Sequence, residues 1–123
     1  MNTENSFVRI TLAAGERNQA VEAIDSHVEQ LLLDTVEGDK FDAGALLEVR
    51  AQLCSRATCE MSITQAATLR TALEQRCDEI DGDLTEDGSE AWRARARRCL
   101  ADVRLALVAL RSALGEDVDA IVH

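Results

Sequence analysis

Tyrosine and proline are absent from this sequence, and aromatic residues make up only 2% of it. A core without rings must be packed from Leu, Val, Ile and Ala. The lack of proline removes the strongest helix breaker, and glycine is sparse. With abundant Ala, Leu, Glu and Arg, that points to helices. Lysine is nearly missing: Lys40 is the one exception among thirteen basic residues. No apolar run approaches the ~20 residues that span a bilayer. The start, MNTENSFVRI, lacks the basic opening and long apolar run of a secretory leader. A soluble, cytoplasmic chain with reduced cysteines is therefore expected. Phosphate-cradling glycine loops, G-x-S-x-G, H-E-x-x-H and a plausible triad are all missing. The expectation is a non-enzymatic protein with no cofactor.

What is present fits one domain, residues 1–123. Apolar residues form 46% of the 123-residue chain, enough for a packed core. The net charge is −10. That disfavours direct contact with nucleic acid, whose phosphates reward basic surface, and with anionic membranes. It favours a protein partner of basic or mixed charge.

Periodicity supplies the elements. Val8, Ile10 and Leu12 alternate like a strand, whereas Phe7, Ile10 and Ala14 fit a helical face that Ser6 would cap. No second strand candidate is visible, and an isolated strand would have to pair with another chain. A short N-terminal helix is therefore expected over a strand, and its heptad frame nearly continues into the next helix. After Gly15, the stripe Val21, Ile24, Val28, Leu31, Leu32 and Val36 marks a helix over 16–37, ended by Gly38-Asp39-Lys40. Asp42 reads as the N-cap of a second helix over 42–57, with Phe41 stapled to Leu46 and with Leu46, Val49 and Leu53 inward. A polar break at 58–62 follows. Ser62 and Gln65 form a capping box for a third helix, whose stripe is Ile63, Ala66, Leu69, Leu73, Cys77 and Ile80 and which ends near Asp81. Residues 82–88 read as a loop.

Ser89–Leu114 has the strongest periodicity. Ser89 is the expected N-cap and Gly115 the C-cap. Trp92, Ala96, Cys99, Leu100, Val103, Leu107, Leu110 and Leu114 share one stripe. The expected fold class is all-α: a small antiparallel bundle of about four main helices. Residues 1–5 and 116–123 are expected to be flexible.

Several groups invite a chemical reading. The acidic stretch Glu74, Asp78, Glu79, Asp81, Asp83, Glu86, Asp87 and Glu90 suggests a Ca²⁺ loop, but every EF-hand register fails. From Glu79 the required glycine is Leu84, from Asp83 the bidentate Glu is Ala94, and from Asp81 the twelfth position is Trp92. A solvated acidic surface is the expected reading, with recognition of a basic partner second. The cysteines lack C-x-x-C knuckles and neighbouring histidines, so no metal site is assigned. Cys77 and Cys99 read as small buried hydrophobes, with a disulfide between them only in an oxidising compartment. Cys54 and Cys59, beside a helix break, read as the more reactive thiols. His27 reads as a boundary residue and His123 as a mobile terminus.

On a helical wheel Arg93, Arg97, Arg104 and Arg111 line one edge of the Leu stripe, where charge selects a neighbour. Leu105 and Val108 point away from the stripe. Uncovered apolar side chains on a small domain ask for a contact. The leading functional expectation is an interaction module of adaptor, regulator or inhibitor type. Its contacts are Arg93, Arg97, Arg104, Leu105, Val108 and Arg111, and its partner is a protein or a second copy in a homodimer. An acidic decoy that occupies a nucleic-acid-binding site is the alternative, and a metal- or thiol-dependent protein the second alternative.

Overall fold

In a computed structural model the chain runs β1(Phe7–Thr11), α1(Ala14–Leu33), α2(Glu37–Ser55), β2(Thr58–Ser62), α3(Ile63–Leu84) and α4(Glu90–Ala113). The structure describes residues 7–33, 37–84 and 88–115, without the side chains of 37–42. The Phe41 staple, Val36, Glu86, Asp87, His123 and the two terminal segments expected to be flexible lie outside the described residues. Among the described residues the fold is mainly α rather than all-α: four helices and a two-stranded antiparallel sheet.

The sheet corrects the sequence reading at both strands. Phe7–Thr11 is a strand, not a helix, so it does not continue the frame of α1. Its partner is the segment read as a polar break, and the pairing lies within the chain. Phe7 stands opposite Ser62, Arg9 opposite Glu60, and Thr11 opposite Thr58. Strand side chains alternate between faces. Ile10, Cys59 and Met61 are buried and Val8 is half-buried on the inner face. On the outer face Arg9 pairs with Glu60, and the hydroxyls of Thr11 and Thr58 lie 2.9 Å apart.

Helix boundaries also shift. Helix α1 opens at Ala14 with Gly15 inside its first turn. A Cβ on Gly15 would stand 2.7 Å from Oδ2 of Asp102, so the missing side chain lets α4 approach the start of α1. Gly38-Asp39-Lys40 does not end a helix; it lies in the first turn of α2, which starts at Glu37 and not at Asp42. Helix α3 runs on to Leu84, so Gly82 and Asp83 belong to it and not to a loop. Its start follows the sequence: Ser62 N–H donates to Oε1 of Gln65 at 2.8 Å, and Gln65 N–H donates to Ser62 Oγ at 3.0 Å. Such a reciprocal cap satisfies donors that the first turn leaves without helical partners.

Helix α1 packs against α2, α3 and α4, and α3 packs against α4. The largest fully buried side chains are Leu12, Ile24, Leu46, Met61, Leu69, Leu73 and Leu110, joined by Val49, Val103 and Cys59. Ala20, Ala23, Ala66, Ala72 and Ala106 are buried between them. Small side chains at those sites allow helices to approach closely, which suits a core without rings. Two stripe positions were misread: Leu32 and Ile63 are exposed, and each sits near a helix end.

Polar contacts also join the helices. Asp25 on α1 accepts from Nε and Nη2 of Arg50 on α2 at 2.6 and 3.2 Å; this hydrogen bond raises the Arg50 pKa. Arg76 on α3 reaches Glu22 at 2.9 Å and Gln19 at 3.4 Å. His27 is buried rather than at a boundary, its Nδ1 2.7 Å from Oε1 of Gln75.

Candidate interaction face

Helix α4 is fixed at both ends. Ser89 Oγ accepts from the Trp92 N–H at 3.1 Å, as the sequence indicates. At the other end Leu114 is the cap residue, and Gly115 follows at φ 77. That left-handed conformation suits glycine, which has no Cβ to clash. The Trp92 ring lies over Gly88, where a Cβ would sit 2.8 Å from Cε3.

Three faces of α4 can now be separated. The inner face buries Leu100, Val103, Ala106, Leu107 and Leu110. Trp92, Ala96, Cys99 and Leu114, also placed in that stripe, are half-buried. The edge toward α3 carries the arginines. Arg104 lies 4.0 Å from Asp81 and Arg111 lies 3.4 Å from Glu74, which also meets Arg70 at 3.4 Å. Arg93 is half-buried and Arg97 exposed on the same edge. Each exposed pair of this kind contributes only ~0–1 kcal/mol, so it selects the neighbour more than it holds it.

The acidic stretch is correspondingly divided. Glu74 and Asp81 meet arginines of α4, and Glu79 lies 3.7 Å from Arg76 within α3. Asp78, Asp83 and Glu90 are exposed. Among the described residues no group of three or more His, Cys, Asp or Glu is arranged to hold a metal ion.

The outward face holds the off-stripe pair. Leu105 is 53% exposed and Val108 is half-buried. They belong to a second stripe on the outward side: Ala94, Arg98, Ala101, Leu105, Val108 and Ser112, at alternating spacings of four and three. That is the repeat of a helix seam. Arg98 lies in this stripe and Arg95 to one side of it; both are exposed, and periodicity alone does not single them out. Burial on the inner face is what separates outward arginines from those tied to α3. The helix carries six arginines against Glu90 and Asp102, a positive strip on a chain of net charge −10.

The thiols agree with expectation in part, and Cys59 departs from it. All four are free. Cys54 is exposed beside an open cleft lined by Arg17, Asn18, Val21, Glu22 and Leu53. Cys59, grouped with it as reactive, is buried in β2, and burial pushes its pKa up. A thiol that resists ionising is a poor nucleophile. Cys77 and Cys99 are half-buried. Burial raises the Cys77 pKa against the opposing hydrogen bond from Arg104. No described helix is long and apolar enough to cross a membrane.

No protein-family model, curated protein or solved structure matches this chain.

Proposed function

We propose that the protein is a non-enzymatic interaction module of adaptor, regulator or inhibitor type, and that the outward face of α4 is where it grips another protein. The four helices serve as an antiparallel bundle that presents this face on a rigid wall. The observation that carries the reading is Leu105: a leucine 53% exposed at the middle of a capped, well-packed helix, in a seam-like stripe with Ala101 and Val108. An apolar strip bordered by charge is the usual make-up of a helix-docking surface. Arg95, Arg97 and Arg98 flank it, so the partner presents an apolar strip with carboxylates beside it. Basic groups farther out would meet the acidic remainder of this chain, which makes the partner mixed in charge.

The arginines divide the work. Arg104 and Arg111 are engaged by acids of α3, while Arg95, Arg97 and Arg98 are exposed to a partner. The same pairing reduces the free carboxylates between residues 74 and 90, which favours this reading over an acidic decoy.

The test is capture from the native host with the wild-type chain and with Leu105→Glu plus Val108→Glu, alongside light scattering of both. A partner or a dimer held by the wild type and lost by the folded variant supports the face. Unchanged mass and unchanged capture sink it.

A further inference from the structure

The two edges of the small sheet are not equivalent. In an antiparallel pair, residues alternate between those that bond to the facing strand and those whose N–H and C=O point outward. Leu12 N–H donates to the Ala57 carbonyl at 3.0 Å, which places the outward set of β1 at Phe7, Arg9 and Thr11. Their partners on β2 are Ser62, Glu60 and Thr58. The outer edge of β2 is closed at its centre. Gln52 on α2 donates from Nε2 to the Glu60 carbonyl at 2.7 Å and accepts the Glu60 N–H at Oε1 at 2.9 Å. The outer edge of β1 has no such cover: no hydrogen bond from another described residue reaches the backbone of Phe7, Arg9 or Thr11.

We infer that this open edge of β1 pairs with the same edge of a second copy, antiparallel about Val8, to make a four-stranded sheet across two chains. Three features converge at that end of the strand. Phe7 is 65% exposed on the outer face. Val8 is half-buried, whereas Ile10 on the same face is fully covered. An open hollow lies there, lined by Phe7, Val8, Arg9 and Glu60.

A two-fold axis at Val8 uses all three. It bonds the outward groups of Phe7 to those of Arg9 in the second copy, and the reverse. It brings each Phe7 ring beside the guanidinium of the other copy's Arg9, a favourable cation–π pairing. It covers each Val8 with the other Val8, at the close spacing of a non-bonded pair. An axis at Arg9 would oppose two arginines, and like charges directly opposite are unfavourable; an axis at Ile10, already fully covered, would leave Phe7 and Val8 without a partner. The fit of Phe7 to Arg9 and of Val8 to Val8 across the axis is what favours this register and a second copy as the occupant. The inference is independent of the α4 face.

The test is light scattering of the full chain from micromolar to millimolar concentration, with amide exchange read at Phe7 and Arg9. Arg9→Pro removes an N–H that the sheet within one chain does not use, so β1 and β2 stay paired while the edge is blocked. Phe7→Lys is a second variant with little packing to lose, because the ring is mostly exposed. The expected result is a mass rising toward two chains, with slowed exchange at both amides as concentration rises. Both variants raise the dissociation constant by roughly tenfold or more, and Leu105→Glu leaves it unchanged. A monomer at every concentration overturns the inference. So does a dimer indifferent to both β1 variants, or protection of β1 that appears only with a strand from a different protein.

Discussion

The side-chain amide of Gln52 takes both backbone groups of Glu60, 2.7 Å to the carbonyl and 2.9 Å from the N–H, and so stands in for a third strand. This contact joins α2 to β2 across the turn at 56–57. Gln52→Glu keeps the acceptor for the Glu60 N–H but faces the Glu60 carbonyl with an oxygen. Because the site is partly open to water, the expected loss is about 1 kcal/mol. Urea unfolding of Gln52→Glu and Gln52→Ala measures it, with unchanged m-values indicating an intact fold.

The two leucines of α4 that differ most in burial separate stability from recognition. Leu110 is fully buried and Leu105 is 53% exposed. Leu110→Ala removes packed methyl groups and is expected to cost ~2–5 kcal/mol. Leu105→Ala is expected to change stability by less than ~0.5 kcal/mol, as at other surface sites. Thermal and urea unfolding of both variants checks the contrast.

The helix starts give a third expectation. Ser89→Ala removes the acceptor for the Trp92 N–H, and Ser62→Ala removes that for Gln65. Each is expected to cost about 1 kcal/mol. The two sites lie on different helices with no shared partner, so the double variant should lose the sum. A loss well beyond the sum in urea unfolding would show that the caps are coupled.

Thiol chemistry gives the fourth. Cys54 should react first with a thiol reagent in the native state, and Cys59 only when the chain opens. Burial raises the pKa of Cys59 and Cys77 above the ordinary thiol value. The folded state then holds protons that the unfolded state releases. Stability is therefore full below the ordinary thiol pKa, near ~8.5, and declines as pH rises through the folded values. Urea midpoints from neutral to alkaline pH should fall, and the fall should shrink in Cys59→Ala.

Much of the helical frame was legible because it rests on local chemistry. The capping box at Ser62 and Gln65, the cap at Ser89 and the glycine after Leu114 are each set within a few residues. The stripes at Leu46, Val49 and Leu53, and at Leu100 to Leu110, follow from periodicity alone. The sheet was not legible for a related reason. Strand β2 turns only Cys59 and Met61 inward, neither β-branched nor aromatic, so its alternation gives a weak signal. With β2 unseen, β1 had no partner, and a helix was the cheaper reading. The off-stripe pair Leu105 and Val108 was visible from spacing. The outward role of Arg95 and Arg98 required knowing which side of α4 meets α3.

If the outward face of α4 is a docking surface, Leu105 is the residue that meets the protein partner. A photo-crosslinking residue placed at 105 in the native host tests it directly, with the same residue at Thr71, exposed on α3, as control. A discrete adduct is expected from position 105, little from 71, and loss of the adduct when Arg98 is changed to Glu. No adduct at 105, or equal yields from both positions, would contradict it.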